Sequence, residues 1–335
     1  MKILHHQRLP YDGQVSIERL FAEIREFLPE GIDAVTATSP RPSTSLLPRL
    51  ANLRFAGRQA GEIHHIVGDV HYLAFGLPPG RTVLTIHDCA ALNRMTGWKR
   101  EILRYFWFTG PMRRAAGVTT ISETTKDELR KWVGDLADKV LVIPNCVRSE
   151  FVPCLKPFDD AAPMVLQVGT GWNKNVERVA EALRGTPCRL EIIGELSDSQ
   201  RAAVRNSGVP HRELGRVSDE DLLAAYQRCD LVVFASLYEG FGLPILEGQA
   251  VGRPVITSHL SSMPEAAGAG ALLVDPLSVD DIRAAVMRLI REPELRAELV
   301  QLGFENVARF RPEAVALQYA EIYREVAKKS ELLIE

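Results

Sequence analysis

The chain has 335 residues, of which 46% are apolar, and its formal net charge at pH 7 is −3. This length favours two domains, and the weak negative charge argues against a nucleic-acid-binding protein. No stretch approaches the ~18 consecutive apolar residues of a membrane-spanning helix. The five cysteines are scattered, without the C-x-x-C spacing of a zinc or redox site. Because the first residues also lack the apolar core of a signal peptide, we expect a cytoplasmic protein.

Apolar runs alternate with helical patterns along residues 1–150, which predicts a parallel α/β domain. Strands are expected at residues 2–4, 32–37, 63–67, 81–86, 117–121 and 139–143. Helices are expected at residues 15–28, 49–59, 98–116 and 123–133. Residues 151–163 contain three prolines and are predicted to be an interdomain linker.

The same alternation restarts in residues 164–311, which predicts a second α/β domain. Strands are expected at residues 164–168, 189–193, 231–235, 253–257 and 271–274. Helices are expected at residues 176–183, 198–206, 219–228, 244–251, 280–291 and 294–304, with a last amphipathic helix at 312–329. Two such domains would leave one cleft between the carboxyl ends of their strands, where open α/β sheets bind ligands.

The loop after the strand at 231–235 carries the strongest functional signal. Pro244 suits the first position of a helix, and the N–H groups of Gly242, Leu243 and Ile245 would point out of that helix end. Backbone donors at the positive end of a helix dipole suit a diphosphate. A carboxylate in the preceding loop and another on the rim, one turn into the helix, would accept hydroxyl groups on both sides. The pattern therefore describes a nucleotide-sugar site.

These carboxylates are Glu239 and Glu247, and with Phe241-Gly242-Leu243-Pro244 between them they resemble the E-x7-E motif of retaining glycosyltransferases of family 4, the group 1 glycosyltransferases. The resemblance continues through residues 252–256, 264–265 and 273–276. It implies an α/β protein of the GT-B fold, with two Rossmann-like domains facing across a cleft. It also implies that residues 312–335 form a helix that crosses back to the first domain.

A second loop follows the strand at 164–168. Gly169 and Gly171 match the start of a dinucleotide fingerprint, and Glu191 lies about twenty residues further on, so a nicotinamide site stays open. The third glycine of that fingerprint is replaced by Lys174, a flexible charge that suits a phosphate. The loop resembles the glycine-x-lysine-asparagine loop of the family, which implies that Lys174 holds the donor diphosphate.

The family resemblance is incomplete at this loop. Many members carry an arginine a few residues before the lysine, whereas this chain has Thr170-Gly171-Trp172 there. A second cation for the diphosphate would then have to come from elsewhere, and Arg253 and Arg216 are the candidates.

In the first domain, the resemblance selects Gly13 and His87. Gly13 matches the glycine turn that approaches the donor phosphate and the acceptor, and His87 matches a strand-end histidine that faces the donor sugar. A neutral imidazole can exchange one hydrogen bond with a sugar hydroxyl, and Asp88 would fix its tautomer or cap the next segment. Three other histidines lack this support and are expected to be structural or of unknown role, namely His64, His65 and His71.

Residues 214–221 lie at a loop–helix junction. By resemblance, Arg216 and Val217 belong to the loop whose backbone meets the nucleobase. Asp219-Glu220-Asp221 spells the D-x-D metal motif of another glycosyltransferase fold, but Ser218 with Asp221 is typical of a helix cap, which we prefer. We therefore expect no metal ion and no other cofactor.

Residues 94–114 combine basic and aromatic side chains in one predicted helix. Such a helix suits the surface of an anionic membrane, at its inner face, and a lipid-linked acceptor. The alternative, which we prefer, is that the aromatic residues form the core face and the basic residues the solvated face.

The resemblance implies a retaining, metal-independent transfer of a hexosyl group from a nucleotide sugar to a saccharide or glycolipid acceptor, in polysaccharide biosynthesis. UDP is the first choice of nucleotide and GDP-mannose the second donor, on family frequency. Lys174 would stabilise the leaving diphosphate, Glu239 would orient the sugar, Glu247 would bind the ribose and His87 would position the sugar or acceptor. A nucleotide-sugar 2-epimerase, a nicotinamide-dependent oxidoreductase and a catalytically silent nucleotide-sugar-binding protein stay open.

Overall fold

The structure is a computed structural model that describes residues 1–10 and 16–332. The chain packs into two compact units. Unit 1 contains Met1–Cys146 together with the chain from Pro312 onward, and unit 2 contains Val147–Arg311. Each unit is built around a parallel sheet of six strands, which confirms the predicted α/β class.

The sheet of unit 1 has the strand order β2-β1-β3-β4-β5-β6. Its strands are β1 Lys2–Gln7, β2 Asp33–Thr38, β3 Ile63–Ile66, β4 Thr82–Ile86, β5 Gly117–Thr120 and β6 Val140–Val142. The helices that follow them are α1 Ser16–Glu26, α2 Leu46–Ala56, α3 Ala90–Arg94, α4 Gly97–Leu103, α5 Gly110–Arg114 and α6 Glu123–Val133. The chain leaves β1 for β2 on one side and returns to β3 on the other, so the strand order reverses at β1.

The sheet of unit 2 has the order β12-β11-β10-β7-β8-β9. Its strands are β7 Met164–Val168, β8 Arg189–Ile193, β9 His211–Gly215, β10 Leu231–Phe234, β11 Val255–Ser258 and β12 Ala271–Val274. Its helices are α7 Val176–Ala182, α8 Asp198–Ser207, α9 Asp219–Arg228, α10 Leu243–Ala250, α11 Met263–Ala267, α12 Val279–Arg291 and α13 Pro293–Val307. The order reverses at β7, which pairs with β8 on one side and β10 on the other.

The last helix, α14 Pro312–Glu331, belongs to unit 1, as the resemblance implied. Its buried face carries Tyr319 and Tyr323, which pack against Phe21 of α1 and His65 of β3. Burial of such large aromatic side chains is the main stabilising term in this kind of contact. No helix in the described part of the chain has the length and apolarity that a membrane crossing requires.

The segment from α4 to α5 corrects one expectation. The helix is interrupted by a π-helical stretch at Arg104–Thr109. Phe108 is buried, as a core face requires, but Trp98, Tyr105 and Phe106 are 69%, 50% and 46% exposed. The preferred interpretation, with the aromatic residues in the core, is therefore wrong for these three side chains.

Candidate active site

The two loops selected from the sequence lie side by side in unit 2. They follow β7 and β10, which are paired in parallel at the point where the strand order reverses. Ligands of open α/β sheets bind at such a switch point. Hydrogen bonds join the loops, because Leu237 N–H donates to the Asn173 carbonyl at 2.8 Å and Asn173 Nδ2 donates to the Tyr238 carbonyl at 2.7 Å.

Lys174 and Glu239 meet at this junction. Lys174 Nζ donates to Glu239 Oε1 at 2.7 Å, and Asn173 Nδ2 donates to the same oxygen at 3.0 Å. The side chains are only 19% and 14% exposed, and the Lys174 ammonium also lies 4.4 Å from the centre of the Phe234 ring. Largely screened from water, each charge stabilises the other until a ligand offers an alternative partner.

The backbone at Gly169 lets the lysine reach this position. Gly169 has φ +86°, and a Cβ atom there would lie 2.9 Å from Lys174 Cε. Its N–H donates to the Ile193 carbonyl at 2.8 Å, which anchors the turn to β8. A Cβ at Gly171 would likewise lie 2.9 Å from Asn173 Oδ1. The glycines therefore make room for neighbouring side chains as well as for backbone turns.

The end of α10 supplies backbone donors. Gly242 caps the helix with φ +116°, and within the described residues the N–H groups of Gly242 and Leu243 have no hydrogen-bond partner. The Ile245 N–H differs from the prediction, because it donates to the Gly242 carbonyl at 3.0 Å. Pro244 takes the second helical position rather than the first. Two of the three expected donors are thus available to a diphosphate.

The loop that leads into α10 is held by two serines. The Ser262 hydroxyl lies 2.9 Å from the carbonyl oxygens of both Glu239 and Phe241. Ser261 Oγ donates to the Glu239 carbonyl at 2.6 Å. These contacts fix the backbone on both sides of Gly240, so the Glu239 carboxylate is presented by an ordered loop. Phe241 itself is buried against Phe310.

Glu247 lies deeper than the rim position expected for it. The residue is buried on α10, and its Oε2 accepts a 2.7 Å hydrogen bond from the Tyr226 hydroxyl of α9. Burial raises the pKa of the Glu247 carboxyl, while the hydrogen bond from Tyr226 and the charge of Arg148 oppose that shift. Its Oε1 has no partner in the described residues.

Arg253 is excluded as the second cation. It is buried, and among the described residues its guanidinium donates only to backbone carbonyls, those of Cys154, Tyr226, Gln227, Val251 and Gly252. These bonds tie the end of α9 to the turn before β11. Because these bonds use the donors of the guanidinium, Arg253 cannot also bind a phosphate. The hypothesis that Arg253 supplies the second cation was therefore wrong.

Arg216 and Val217 follow the edge strand β9. The Arg216 side chain is 63% exposed and lies 3.4 Å from Glu195 Oε1, and Val217 is half-buried. Gly215 beside them pairs with Gly194, which follows β8. Arg216 therefore lies at the same carboxyl edge of the sheet as Lys174. It stays the candidate for the second cation.

The D-x-D sequence forms the first turn of α9. Ser218 Oγ accepts from Asp221 N–H at 3.1 Å, which confirms the helix cap. Asp219 pairs with Arg148 at 3.0 Å. Across residues 1–10 and 16–332, no group of three or more His, Cys, Asp or Glu side chains is arranged to hold a metal ion.

In unit 1, His87 follows β4. Its Nε2 lies 2.9 Å from the Val67 carbonyl oxygen, which can only accept, so Nε2 carries the proton and Nδ1 is an acceptor. Burial lowers the pKa of His87, although the bond to Val67 opposes this shift. Asp88 caps the next segment through Ala90 N–H at 2.9 Å. Gly13 lies outside the described residues.

His71 and Asp69 line a cavity that the sequence did not reveal. It has a volume of about 380 Å³ and is also lined by His87 and Trp107. The position of His71 and Asp69 in the sequence could have indicated this, because both residues follow β3 at the carboxyl edge of the sheet, where His87 also lies. His65, by contrast, is structural, since its two ring nitrogens bond to Tyr323 and Thr85, both at 2.7 Å.

Known glycosyltransferases resemble this chain in sequence. A family model described as glycosyl transferases group 1 matches residues 156–305, and one described as glycosyltransferase family 4 matches residues 7–151. O-antigen chain mannosyltransferase B of Escherichia coli is 24% identical over 73% of this chain and 70% of that protein. The serotype-specific mannosyltransferase WbdA of Escherichia coli is 26% identical over 69% of this chain, which spans 32% of its length.

Solved structures agree on the fold. Sucrose-phosphate synthase from Thermosynechococcus elongatus superimposes with a TM-score of 0.79 at 18% identity, over 97% of this chain and 99% of that one. Anabaena HepE in complex with UDP and glucose gives 0.76 at 17% identity, over 97% and 100%. These similarities establish the GT-B glycosyltransferase fold. The two family models match residues 7–151 and 156–305, which together are most of the chain, and they identify it as a member of the group 1 glycosyltransferases.

Proposed function

We propose that the protein moves a mannosyl group from a nucleoside-diphosphate sugar to a hydroxyl of a saccharide or lipid-linked glycan, with retention and without a metal ion. The observation that carries this proposal is the Lys174–Glu239 pair at the switch point of unit 2. One cation suits the diphosphate and one carboxylate suits the sugar hydroxyls. The N–H groups of Gly242 and Leu243, which have no hydrogen-bond partner in the described part of the chain, lie three and four residues after Glu239.

Binding would exchange partners within this pair. The donor diphosphate takes the Lys174 ammonium and the two N–H groups, and Glu239 turns to the hydroxyls of the sugar. Preorganised donors of this kind stabilise charge that develops on a leaving group. The C1–O bond to the diphosphate breaks while the acceptor oxygen bonds to C1 on the same face. The acceptor proton passes to the departing phosphate oxygen, so no separate base is needed.

The nucleoside is expected to sit over α10. Glu247 Oε1 would accept from the ribose hydroxyls, while Tyr226 keeps the other carboxylate oxygen in place. Several similar proteins are named mannosyltransferases, which supports mannose as the sugar and raises GDP-mannose above the UDP-sugars. A UDP-sugar is the alternative donor, since the similar Anabaena HepE was crystallised with UDP and glucose.

Calorimetric titration in the presence of EDTA tests the site. GDP or UDP should bind, and Lys174→Met should weaken that binding by about 10- to 100-fold, the value of a charge-assisted hydrogen bond. Arg184→Ala is the control, because the Arg184 side chain is exposed and pairs with Glu181 of α7, away from the two loops of the site. Binding that requires manganese, or binding of NAD alone, would contradict the proposal.

Turnover separates the remaining alternatives. With GDP-mannose and a mannoside acceptor, we expect transfer with retained configuration, read by proton NMR of the product. An epimerase would convert the donor without any acceptor. A silent binding protein would bind the donor tightly and neither transfer nor hydrolyse it.

We also infer that the exposed part of 94–114 rests on an anionic membrane surface. Trp98, Tyr105 and Phe106 are exposed among the basic side chains of this segment, a combination that binds anionic lipid. Vesicles with phosphatidylglycerol should sediment the protein, and Trp98→Ala with Phe106→Ala should abolish this. The control is Leu317→Ala on α14, an exposed apolar residue in the same unit. Equal binding to neutral phosphatidylcholine vesicles would refute the inference.

A further inference from the structure

Arg148 is a largely buried cation of unit 2 that the sequence did not single out. It lies in the segment with which unit 2 begins, and its side chain is only 15% exposed. Its Nη1 lies 3.0 Å from Glu150 Oε1 and 3.0 Å from Asp219 Oδ1. Because Asp219 is the first residue of α9, this guanidinium connects the first segment of unit 2 to the first turn of that helix.

A row of packed side chains leads from this guanidinium to Glu247. Arg148 stacks 4.9 Å from the centre of the Phe151 ring. Phe151 is buried and meets Tyr226 edge to face, with the ring centres 5.5 Å apart. The Tyr226 hydroxyl donates to Glu247 Oε2 at 2.7 Å. Since cation–π and edge-to-face contacts have preferred geometries, each side chain in the row orients the next one.

The groups that face Glu247 show why a cation is needed there. Burial raises the pKa of the Glu247 carboxyl, and the charge of Glu150 raises it further. The hydrogen bond from Tyr226 and the charges of Arg148 and Lys174 lower it, and the effect of Arg148 is the larger of the two charges. Lys174 is also the cation proposed for the diphosphate. Arg148 is therefore the main positive charge that offsets the cost of an ionised carboxylate at this buried position.

We propose that Arg148 is a positioning residue for the donor nucleotide: it holds the first turn of α9 through Asp219 and supplies the positive charge that faces Glu247. An ionised carboxylate accepts stronger hydrogen bonds from ribose hydroxyls than a protonated one does. The first turn of α9 directly follows the loop with Arg216 and Val217, which the family resemblance places beside the nucleobase. This inference rests on the proposed function and assigns two supports of the same donor site to one side chain.

Carbon-13 NMR of the glutamate carboxyls in the ligand-free protein tests the role of the charge, and Glu247→Gln identifies the signal. Arg148→Met removes the charge and should move the midpoint of the Glu247 titration to higher pH. Arg148→Gln, which can still donate to Asp219, should do the same and serves if the methionine variant does not fold. Arg148→Lys keeps the charge and should keep the midpoint. The control is Arg184→Met, at a side chain that is 51% exposed. A midpoint that stays in place without the charge would overturn the inference.

Calorimetric titration with GDP and UDP across a pH series separates the two supports. Arg148→Met should weaken nucleotide binding by about 10- to 100-fold, and this variant should lose affinity at a higher pH than the wild type does. Asp219→Ala should weaken binding without that change in pH dependence, because the cation still faces Glu247.

Asp198→Ala is the matched control for Asp219→Ala, since Asp198 also follows a serine cap as the first residue of its helix, α8, and is fully exposed. Wild-type affinity in Arg148→Met would refute the role in donor binding, and Asp219→Ala binding like Asp198→Ala would refute the support through α9. If neither nucleotide binds the wild type, the proposed donor site fails, whereas the carboxyl titration still decides whether Arg148 controls the charge of Glu247.

Discussion

Gly169→Ala should separate the function of the Gly169 loop from its contribution to stability. Gly169 has φ +86°, where an L-residue is strained by roughly 1–2 kcal/mol. The new Cβ would also lie 2.9 Å from Lys174 Cε. The lysine side chain is flexible and can move away, so the contact costs little stability. It does displace the ammonium from Glu239 and from the place proposed for the diphosphate.

Gly185→Ala is the matched control for this substitution. Gly185 lies in the same unit with φ +72°, and nothing lies within 4 Å of a Cβ built there. Both variants should therefore lose a similar 1–2 kcal/mol, or about 2–8 °C in Tm for a unit of this size. Only Gly169→Ala should lose donor affinity, by about 10- to 100-fold, because only there does the methyl group reach the lysine.

Thermal unfolding and calorimetric titration with GDP and UDP measure the two effects. The reasoning is refuted if Gly169→Ala binds the nucleotide as tightly as Gly185→Ala does. It is also refuted if both variants lose affinity equally, because the effect would then follow from backbone strain and not from the lysine.

Arg253→Lys should lower the free energy of unfolding by about 2–3 kcal/mol in denaturant titration, because three donors cannot satisfy five carbonyls, while donor affinity of the folded protein stays unchanged. A parallel loss of affinity would restore Arg253 as a phosphate ligand. Burial, with the charges of Arg25 and His6, lowers the pKa of His5 to about 3. As the pH falls, the unfolded chain therefore protonates His5 before the folded chain does. The contribution of neutral His5 to the free energy of unfolding should be fully present above pH 6.5 and should be lost as the pH drops towards 3. His5→Gln should reduce that slope by up to about 1.4 kcal/mol per pH unit, and an unaltered slope in urea titrations would count against this account.

The parallel sheets were predictable chiefly through their central strands, such as β3, β4 and β10, which are buried on both faces and appear as continuous apolar runs. All but one of the twelve strands were expected from the sequence. The exception is β9, His211–Gly215, which has a single large apolar residue and exposed or half-buried side chains. It is an edge strand that pairs only with β8, so backbone hydrogen bonds rather than burial hold it in the sheet.

The site was only partly predictable, for a different reason. Sequence patterns indicate which residues follow a strand, and so they located Lys174 and Glu239 at one edge. They do not indicate what surrounds a side chain. Arg253 looked like a free cation until the carbonyls around it were known, and His71, which was expected to be structural or of unknown role, lines a cavity. In both cases the surroundings of the side chain are contributed by distant parts of the chain.

The Lys174–Glu239 pair leads to a last prediction about ligand preference. A nucleoside diphosphate that takes the lysine leaves the Glu239 carboxylate, at 14% exposure, with the Asn173 hydrogen bond but without its charged partner, which is costly. A nucleotide sugar returns hydrogen bonds to that carboxylate, so it should bind more tightly than the diphosphate alone. In Glu239→Gln the lysine is free beforehand and no charge is stranded. The diphosphate should then bind as well as before or better, and the nucleotide sugar less well. Four titrations form a cycle that isolates the coupling. If Glu239→Gln changes the affinities for the nucleoside diphosphate and for the nucleotide sugar by the same factor, the idea that Glu239 releases the lysine and binds the sugar instead is refuted.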